Sequence, residues 1–380
     1  MTDWLDWPFF EPRHRELAER LEKWCAANVG DHHPDDVDAA CRTLVAELGS
    51  AGFLKLCVAD GDRAPDVRSL AIARSTLARA SGLADFAFAI QGLGSGAVSL
   101  FGNHAQKTEW LPRVASGEAI AAYALTEPDT GSDAANIAMR ADRHGDAWVL
   151  TGEKSYISNG TIADVLTVFA RTGSVEDGGR GISAFIVRGD DPGLSVAERI
   201  EVIAPHPLAR LKFEGVSAEL LGAEGDGFKV AMQTLNLFRV TVGAAALGFA
   251  RRALDEALEF STTRRLGKGV LADNPVTWDR LAGMTMAVDA SALLIARAAW
   301  QQDMGSADNR RAAAMAKLHA TDEAQKVIDA ALQMHGGIGV TKGAKVEELY
   351  REIRALRIYE GASEVQRMII ARDLLKEHGA

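Results

Sequence analysis

Apolar and polar positions fall into three zones along the chain. From residue 11 to about 118, Ala, Leu, Glu and Arg recur at helical spacing, as in Glu16-Leu17-Ala18-Glu19-Arg20-Leu21, which predicts helices. Near residue 120 the period changes. Short runs such as Trp148-Val149-Leu150-Thr151, Val165-Leu166-Thr167-Val168-Phe169 and Ser183-Ala184-Phe185-Ile186-Val187 alternate with Gly, Asp and Asn turns, the pattern of mostly antiparallel, turn-linked strands. From about residue 229 the helical period returns. Leu235, Phe238, Val242, Ala245 and Phe249 form one apolar stripe on a long helix. Further helices are expected over roughly 275–303 and 308–335, and a last helical stretch runs from Val346 to Leu356 and from Ser363 to Leu375. Short connections suggest an antiparallel four-helix bundle. The expected class is an α+β multidomain protein: an N-terminal helical domain over 1–118, a β-domain over 119–228 and a C-terminal helical bundle over 229–380.

Composition narrows the field. With 380 residues, the chain can bury a large core without disulfides or metal. Forty-two Lys and Arg against 52 Asp and Glu give a net charge of −10, which argues against a nucleic-acid partner. Cys25, Cys41 and Cys57 form no CxxC pair, so a reducing compartment is expected. The acidic, aromatic start has no signal- or transit-peptide pattern, and no run of 18 uncharged apolar residues occurs. The reading is a cytoplasmic protein with no membrane span.

Several motifs have plain structural readings. The histidines offer no HExxH, and adjacent His32-His33 cannot share one helix face, so no metal site is expected. Gly92-Leu93-Gly94-Ser95-Gly96-Ala97 fits GxGxxA, but its surroundings are helical, which favours a glycine-relieved helix contact over a dinucleotide loop. Tyr123 to Asp133 concentrates hydroxyls and turn residues behind a short apolar run; it reads as a self-capped turn or as a cradle for a polar ring or phosphate. Gly152 to Gly160 reads as a strand entering an Asn-Gly hairpin turn. Gln333 to Gly339 reads as a helix end. Glu360, among apolar neighbours between two helical stretches, is a solvated loop residue or a desolvated base with a raised pKa.

Taken in order, these segments resemble the signatures of the acyl-CoA dehydrogenase family. The resemblance runs through Phe101-Gly102, Gln106-Lys107, Trp110-Leu111-Pro112 and Gly117-Glu118 into Leu125-Thr126-Glu127-Pro128 and Gly131-Ser132-Asp133. It continues through Gly222 to Phe228, Gln333 with Gly336-Gly337, and Tyr359-Glu360-Gly361. The helix–strand–helix order is also that family's architecture.

The resemblance implies FAD as cofactor. Tyr123, Leu125 and Thr126 would address the flavin's pyrimidine edge and Gly131 with Ser132 the pyrophosphate. Tyr156 stands where the family commonly has Trp beside the ring, and Ser158 where it commonly has Thr. Arg264, Gln333, Gly336 and Gly337 match residues that a neighbouring subunit supplies over the adenine and pyrophosphate. One departure is Gly267, which aligns with the Phe of an RxxFG pattern. The resemblance makes Glu360 the catalytic base, since Phe238 fills the alternative base position, and places Arg239 and Gly361 at the acyl-CoA site. It further implies an acyl-CoA substrate, an electron-transferring flavoprotein as acceptor, and a homo-oligomer built as a dimer of dimers. Two alternatives were open at this level. One is a flavin oxidase, or a relative acting on a desulfinating or non-CoA substrate; the other is a helical scaffold without cofactor.

Overall fold

The computed structural model describes residues 3–30, 35–61, 63–145, 147–306 and 309–379. The N-terminal helices are α1 (Pro12–Asn28), α2 (Val37–Ser50), α3 (Val67–Ala80), α4 (Gly82–Phe101) and α5 (His104–Ser116). The strands that follow are β1 (Ala121–Ala124), β2 (Arg140–His144), β3 (Ala147–Ser158), β4 (Val165–Arg171), β5 (Ile182–Arg188), β6 (Leu194–Arg199) and β7 (Leu208–Leu221). Helix α6 (Gly227–Thr263) leads to a two-residue hairpin, β8 (Arg265–Leu266) and β9 (Gly269–Val270). Helices α7 (Pro275–Asp303), α8 (Asn309–His335), α9 (Lys345–Leu356) and α10 (Ser363–Glu377) complete the chain. The ends of α5 show local control. Asn103 and Gln106 form a reciprocal capping box at its start, and Gly117 closes it in the left-handed conformation.

The chain divides into two compact units, two of whose four borders fall inside α4 and α6, and these units cut across the three zones of the sequence pattern. One comprises residues 1–33, 66–85 and 239–380; the other comprises 34–65 and 86–238.

In the second unit the strands run in the order β1-β4-β2-β3-β7-β5, with β6 beside β7 and β5 pairing back onto β4. The sheet therefore closes on itself, which removes most open edges. Most pairs are antiparallel, but β1 lies parallel to β4. Alternation sorts the side chains. Val165 and Phe169 of β4 join Ala97, Val98, Trp110 and Leu111 in one apolar cluster. Leu166, Val168 and Ala170 join Leu150, Phe185 and Leu211 in another, as a period of two requires. The Asn159-Gly160 reading is corrected here. These residues leave β3 for β4, which is not its neighbour, and only Asn159 has a positive φ (60°); a two-residue type I′ turn needs positive φ at both central positions. Asn159 instead ties elements together, donating through Nδ2 to the Ala121 carbonyl (3.0 Å).

The GxGxxA glycines lie within α4, as a helix contact needs. A Cβ at Gly94 would sit 2.7 Å from the Ala122 nitrogen, and Cβ atoms at Gly92 and Gly96 would meet the Phe238 ring at 2.7 and 2.6 Å. By length and composition alone, α4, α6 and α7 are long and apolar enough to cross a membrane, which the count of uncharged residues did not anticipate; 78% of the apolar window in α4 and α6, and 39% in α7, is buried within the protein.

In the first unit α8 is the central helix, carrying α7, α9 and α10, while α3 packs on α1 and α7. The α6 segment of this unit approaches α8 closely: a Cβ at Gly243 would lie 3.2 Å from the Ala316 carbonyl oxygen. These helices surround the break between α9 and α10.

Candidate active site

Helix α9 ends at Leu356 and α10 begins at Ser363. Between them Glu360 (φ 51°) and Gly361 (φ 89°) both adopt the left-handed conformation. Gly361 has no substitute there, because an added Cβ would also fall 2.5 Å from Gln366 Nε2. A left-handed glutamate carries a strain of roughly 1–2 kcal/mol, so its surroundings must hold it. They do so from α8. Lys317 Nζ donates to the carbonyls of Tyr359 (3.2 Å) and Gly361 (2.7 Å), which bracket Glu360. Asp322, further along α8, accepts from Arg357 Nε (2.8 Å) and Ser363 Oγ (3.1 Å) on either side of the turn. Gln366 Nε2 adds a third anchor to the Gly361 carbonyl (2.8 Å).

The Glu360 residue is half-buried. Its Oε2 is closed off from water and has no hydrogen-bond partner among the described residues. Burial raises its pKa above the ordinary carboxylate value, opposed by the positive charges of Arg74, Lys317 and Arg239. Arg74 is fully engaged. It forms a two-pronged pair with Asp85 (2.9 and 2.7 Å) and donates to Thr241 Oγ1 (3.2 Å). Although burial disfavours its charge, Asp85 holds this guanidinium firmly protonated. Arg239 is only 7% exposed; burial lowers its pKa and Glu360 counters that shift. The fold thus brings Glu360, Gly361 and Arg239 together, and adds Arg74, Asp85 and Lys317, which no local sequence signal marks.

In the other unit, Tyr123 lies on β1, Leu125, Thr126, Gly131 and Ser132 in the segment between β1 and β2, and Tyr156 and Ser158 at the end of β3. The Leu125 carbonyl accepts from Lys154 Nζ (2.9 Å) and the Thr126 carbonyl from the Ser155 N–H (2.9 Å), so this segment is fixed. Lys154 also pairs with Glu127 (2.8 Å), whose carboxylate accepts the N–H groups of Ala138 and Met139. Tyr123 turns its side chain inward, bonding the Ala231 carbonyl (3.3 Å) and tilting against Phe169. Tyr156 does the opposite. A register shift in the β3–β7 ladder between Lys154 and Ile157 leaves it at φ 56° and 60% exposed; bulges re-aim side chains in this way.

Arg264, Gln333, Gly336 and Gly337 are exposed in the first unit. Arg264 lies over the Phe260 ring, which stacks on His335 at 4.2 Å, so the two turns carrying them are neighbours. Gly267 (φ 59°) is the first residue of the two-residue β8–β9 turn. That position favours glycine, which accounts for the missing aromatic. Among the described residues no group of three His, Cys, Asp or Glu side chains could hold a metal ion; His32 and His33 lie outside them.

A large flavin nucleotide needs an aromatic face, hydroxyl donors and room at its phosphates. Tyr156 offers an exposed ring. Thr126, Ser132 and Ser158 have hydroxyls that bond no protein group among the described residues. A Cβ at Gly131, Gly336 or Gly337 would have nothing within 4 Å. These residues fit such a ligand.

Helical segments before and after a closed sheet along the chain, with one glutamate held in a strained turn, are the features of a class of flavin-dependent oxidoreductases. The sequence matches the acyl-CoA dehydrogenase N-terminal domain over residues 11–118, the middle domain over 122–216 and the C-terminal domain over 225–375. It is 34% identical to 3-(aryl)acrylate reductase of Clostridium sporogenes, covering 97% of this chain and 100% of that one. The fold is similar to butyryl-CoA dehydrogenase from Megasphaera elsdenii, with a TM-score of 0.89, 29% identity, and coverage of 96% and 99%. It is also similar to a chain in a structure described as the electron transferring flavoprotein of Acidaminococcus fermentans, with a TM-score of 0.90, 30% identity, and coverage of 96% and 98%. The chain belongs to the acyl-CoA dehydrogenase family. It is an oxidoreductase whose cofactor is FAD.

Proposed function

We propose that this enzyme dehydrogenates an acyl-CoA thioester to the trans-2-enoyl-CoA, with Glu360 as the base that removes the α-proton. The observation that carries this reading is the Glu360 carboxyl itself: its Oε2 is shut off from water and has no hydrogen-bond partner among the described residues, and burial raises its pKa. A carboxylate at its ordinary pKa is a weak base; desolvation makes it an effective one near neutral pH. Bound FAD would supply the acceptor for a hydride. The chain's own groups do the rest. The N–H of Glu360 makes no backbone hydrogen bond among the described residues and is the donor for the thioester carbonyl, which acidifies the α-carbon. Arg239 and Gly361 border the acyl-CoA. Thr126, Ser132, Tyr156 and Ser158 hold the cofactor in one unit. A neighbouring subunit supplies Arg264, Gln333, Gly336 and Gly337.

That sharing requires a homo-oligomer, a dimer of dimers in a cytoplasmic enzyme. The uncovered face of α7 supports it: Met286, Leu293 and Trp300 recur every seventh residue and are 73%, 44% and 37% exposed. An electron-transferring flavoprotein is the proposed acceptor. Anaerobic mixing with a panel of acyl-CoAs tests the reaction. Bleaching of the flavin by one or more of them supports it, and a panel without effect refutes it. The aryl-acrylate relative favours a second reading, a substrate that is not a CoA ester; bleaching by a free arylpropionate and not by its CoA ester would establish that instead.

A further inference from the structure

Lys317 is wholly buried in the middle of α8 and makes no direct ion pair with any carboxylate among the described residues. Its two acceptors are main-chain oxygens, those of Tyr359 and Gly361. A trans peptide is planar, with its C=O and N–H pointing in opposite directions. Drawing the Tyr359 carbonyl onto Lys317 therefore turns the Glu360 N–H the other way, out of the α8 side of the turn. Drawing in the Gly361 carbonyl fixes the next-but-one plane. With both planes set, Glu360 is held at φ 51°, and its side chain has one direction in which to leave the turn.

We propose that Lys317 is a positioning residue for the reaction proposed above: its ammonium fixes the left-handed turn that aims the Glu360 N–H and carboxyl, and its charge sets the pH at which Glu360 ionises. The proposal rests on Glu360 being the base. Burial brings the Lys317 ammonium down to about 8, and Glu360 is the leading group that pulls it back up, so each group depends on the other's charge. The remaining charged and titratable groups around the pair are already committed. Arg74 is neutralised by Asp85, Asp322 by Arg357 and Arg367, while Glu364 is exposed on α10 and Tyr359 is the preceding residue of the turn. Arg239 is the other cation acting on Glu360. Loss of Lys317 leaves Arg74 and Arg239 as the cations acting on Glu360.

Three variants of the FAD-loaded enzyme separate the two roles. Lys317→Gln keeps a donor for the carbonyls and removes the charge; Lys317→Met removes both; Lys317→Arg keeps the charge. The first readout needs no substrate: the pH midpoint of the Glu360 carboxyl band in pH-difference infrared spectra, identified as the band absent from Glu360→Gln. The midpoint is expected to rise by about one unit, a tenfold change, in Lys317→Gln and to return toward wild type in Lys317→Arg. The second readout is the rate of flavin reduction by substrate against pH. Its midpoint should move in the same direction. The plateau rate should fall about 10²-fold in Lys317→Met, where the turn is released, and much less in Lys317→Gln. An unmoved infrared midpoint in Lys317→Gln would overturn the electrostatic role, and a wild-type plateau in Lys317→Met would overturn the positioning role. If Lys317→Met does not fold, the plateau in Lys317→Gln relative to Lys317→Arg decides the second point, equal rates counting against the role. If no acyl-CoA bleaches wild-type flavin, the reaction assignment fails, while the infrared midpoint still decides the effect of Lys317 on Glu360.

Discussion

Two buried lysines, one in each unit, do comparable mechanical work with different electrostatics. Lys154 on β3 and Lys317 on α8 are both 0% exposed. Each donates to main-chain carbonyls near a left-handed residue: Lys154, two residues before Tyr156, to Leu125, and Lys317 to the carbonyls flanking Glu360. In both, burial brings the ammonium down to about 8. The difference is the counter-charge. Lys154 has Glu127 at 2.8 Å, and Glu127 is itself bonded by two backbone N–H groups. That cluster is complete before any ligand arrives. Among the described residues Lys317 has only carbonyls in hydrogen-bond contact, and the leading negative charge acting on it is the ionised form of Glu360, ahead of Asp322 and Glu364. A closed ion pair makes a fixed scaffold; an open cation couples its environment to the group proposed to take up the proton.

The sharpest way to break this comparison is Glu360→Gln. It keeps the shape of the turn and removes the proposed proton acceptor, so flavin reduction by substrate should fall about 10²–10⁴-fold in anaerobic stopped-flow. FAD content should be unchanged. A wild-type rate would return Glu360 to the status of an ordinary loop residue.

Lys154→Met should produce the next largest effect, on stability. It strands the Glu127 carboxylate in the interior, a loss of about 3–5 kcal/mol measurable by denaturant unfolding. FAD should be retained poorly because the Leu125 carbonyl is released. Lys317→Met strands two carbonyl oxygens but no directly paired carboxylate, so its unfolding midpoint should drop less. Equal losses would show that the two lysines are not electrostatically distinct.

A smaller effect carries a definite sign. Glu360 ionises in the unfolded chain near 4.5, and in the folded protein only above that. Between these two values the folded state holds the extra proton, so wild-type stability declines as pH rises through that window. Glu360→Gln removes the decline. Near neutral pH the variant should be the more stable protein, with a gap that grows at no more than about 1.4 kcal/mol per pH unit and vanishes below 4.5. Thermal unfolding at several pH values measures it.

The smallest effect tests strain in the β-unit. Tyr156→Gly relieves a left-handed tyrosine, so the cofactor-free protein should unfold at the same free energy or up to about 1 kcal/mol higher. FAD should bind more weakly because the exposed ring is gone. Unchanged FAD affinity would remove Tyr156 from the cofactor site.

Local pattern alone determined the helices, the strands and their order in this chain. The α6 stripe, the breaks at Gly336-Gly337 and between α9 and α10, and the glycine-lined face of α4 all depend on residues a few positions apart, and short-range sterics and periodicity act at that distance. Motif order likewise identified the family and singled out Glu360. Pattern failed where a feature depends on a partner remote in sequence. Asn159-Gly160 reads as a hairpin until the β3–β7 pairing and the Ala121 carbonyl claim that turn. Tyr156 shows no sign of being thrown outward, because a bulge is a property of two strands. Arg74, Asp85 and Lys317 look like ordinary helical residues. They acquire their roles only when α3, α4, α6 and α8 pack around the α9–α10 turn, because a pKa is set by burial and by charges close in space, and tertiary packing alone brings those together.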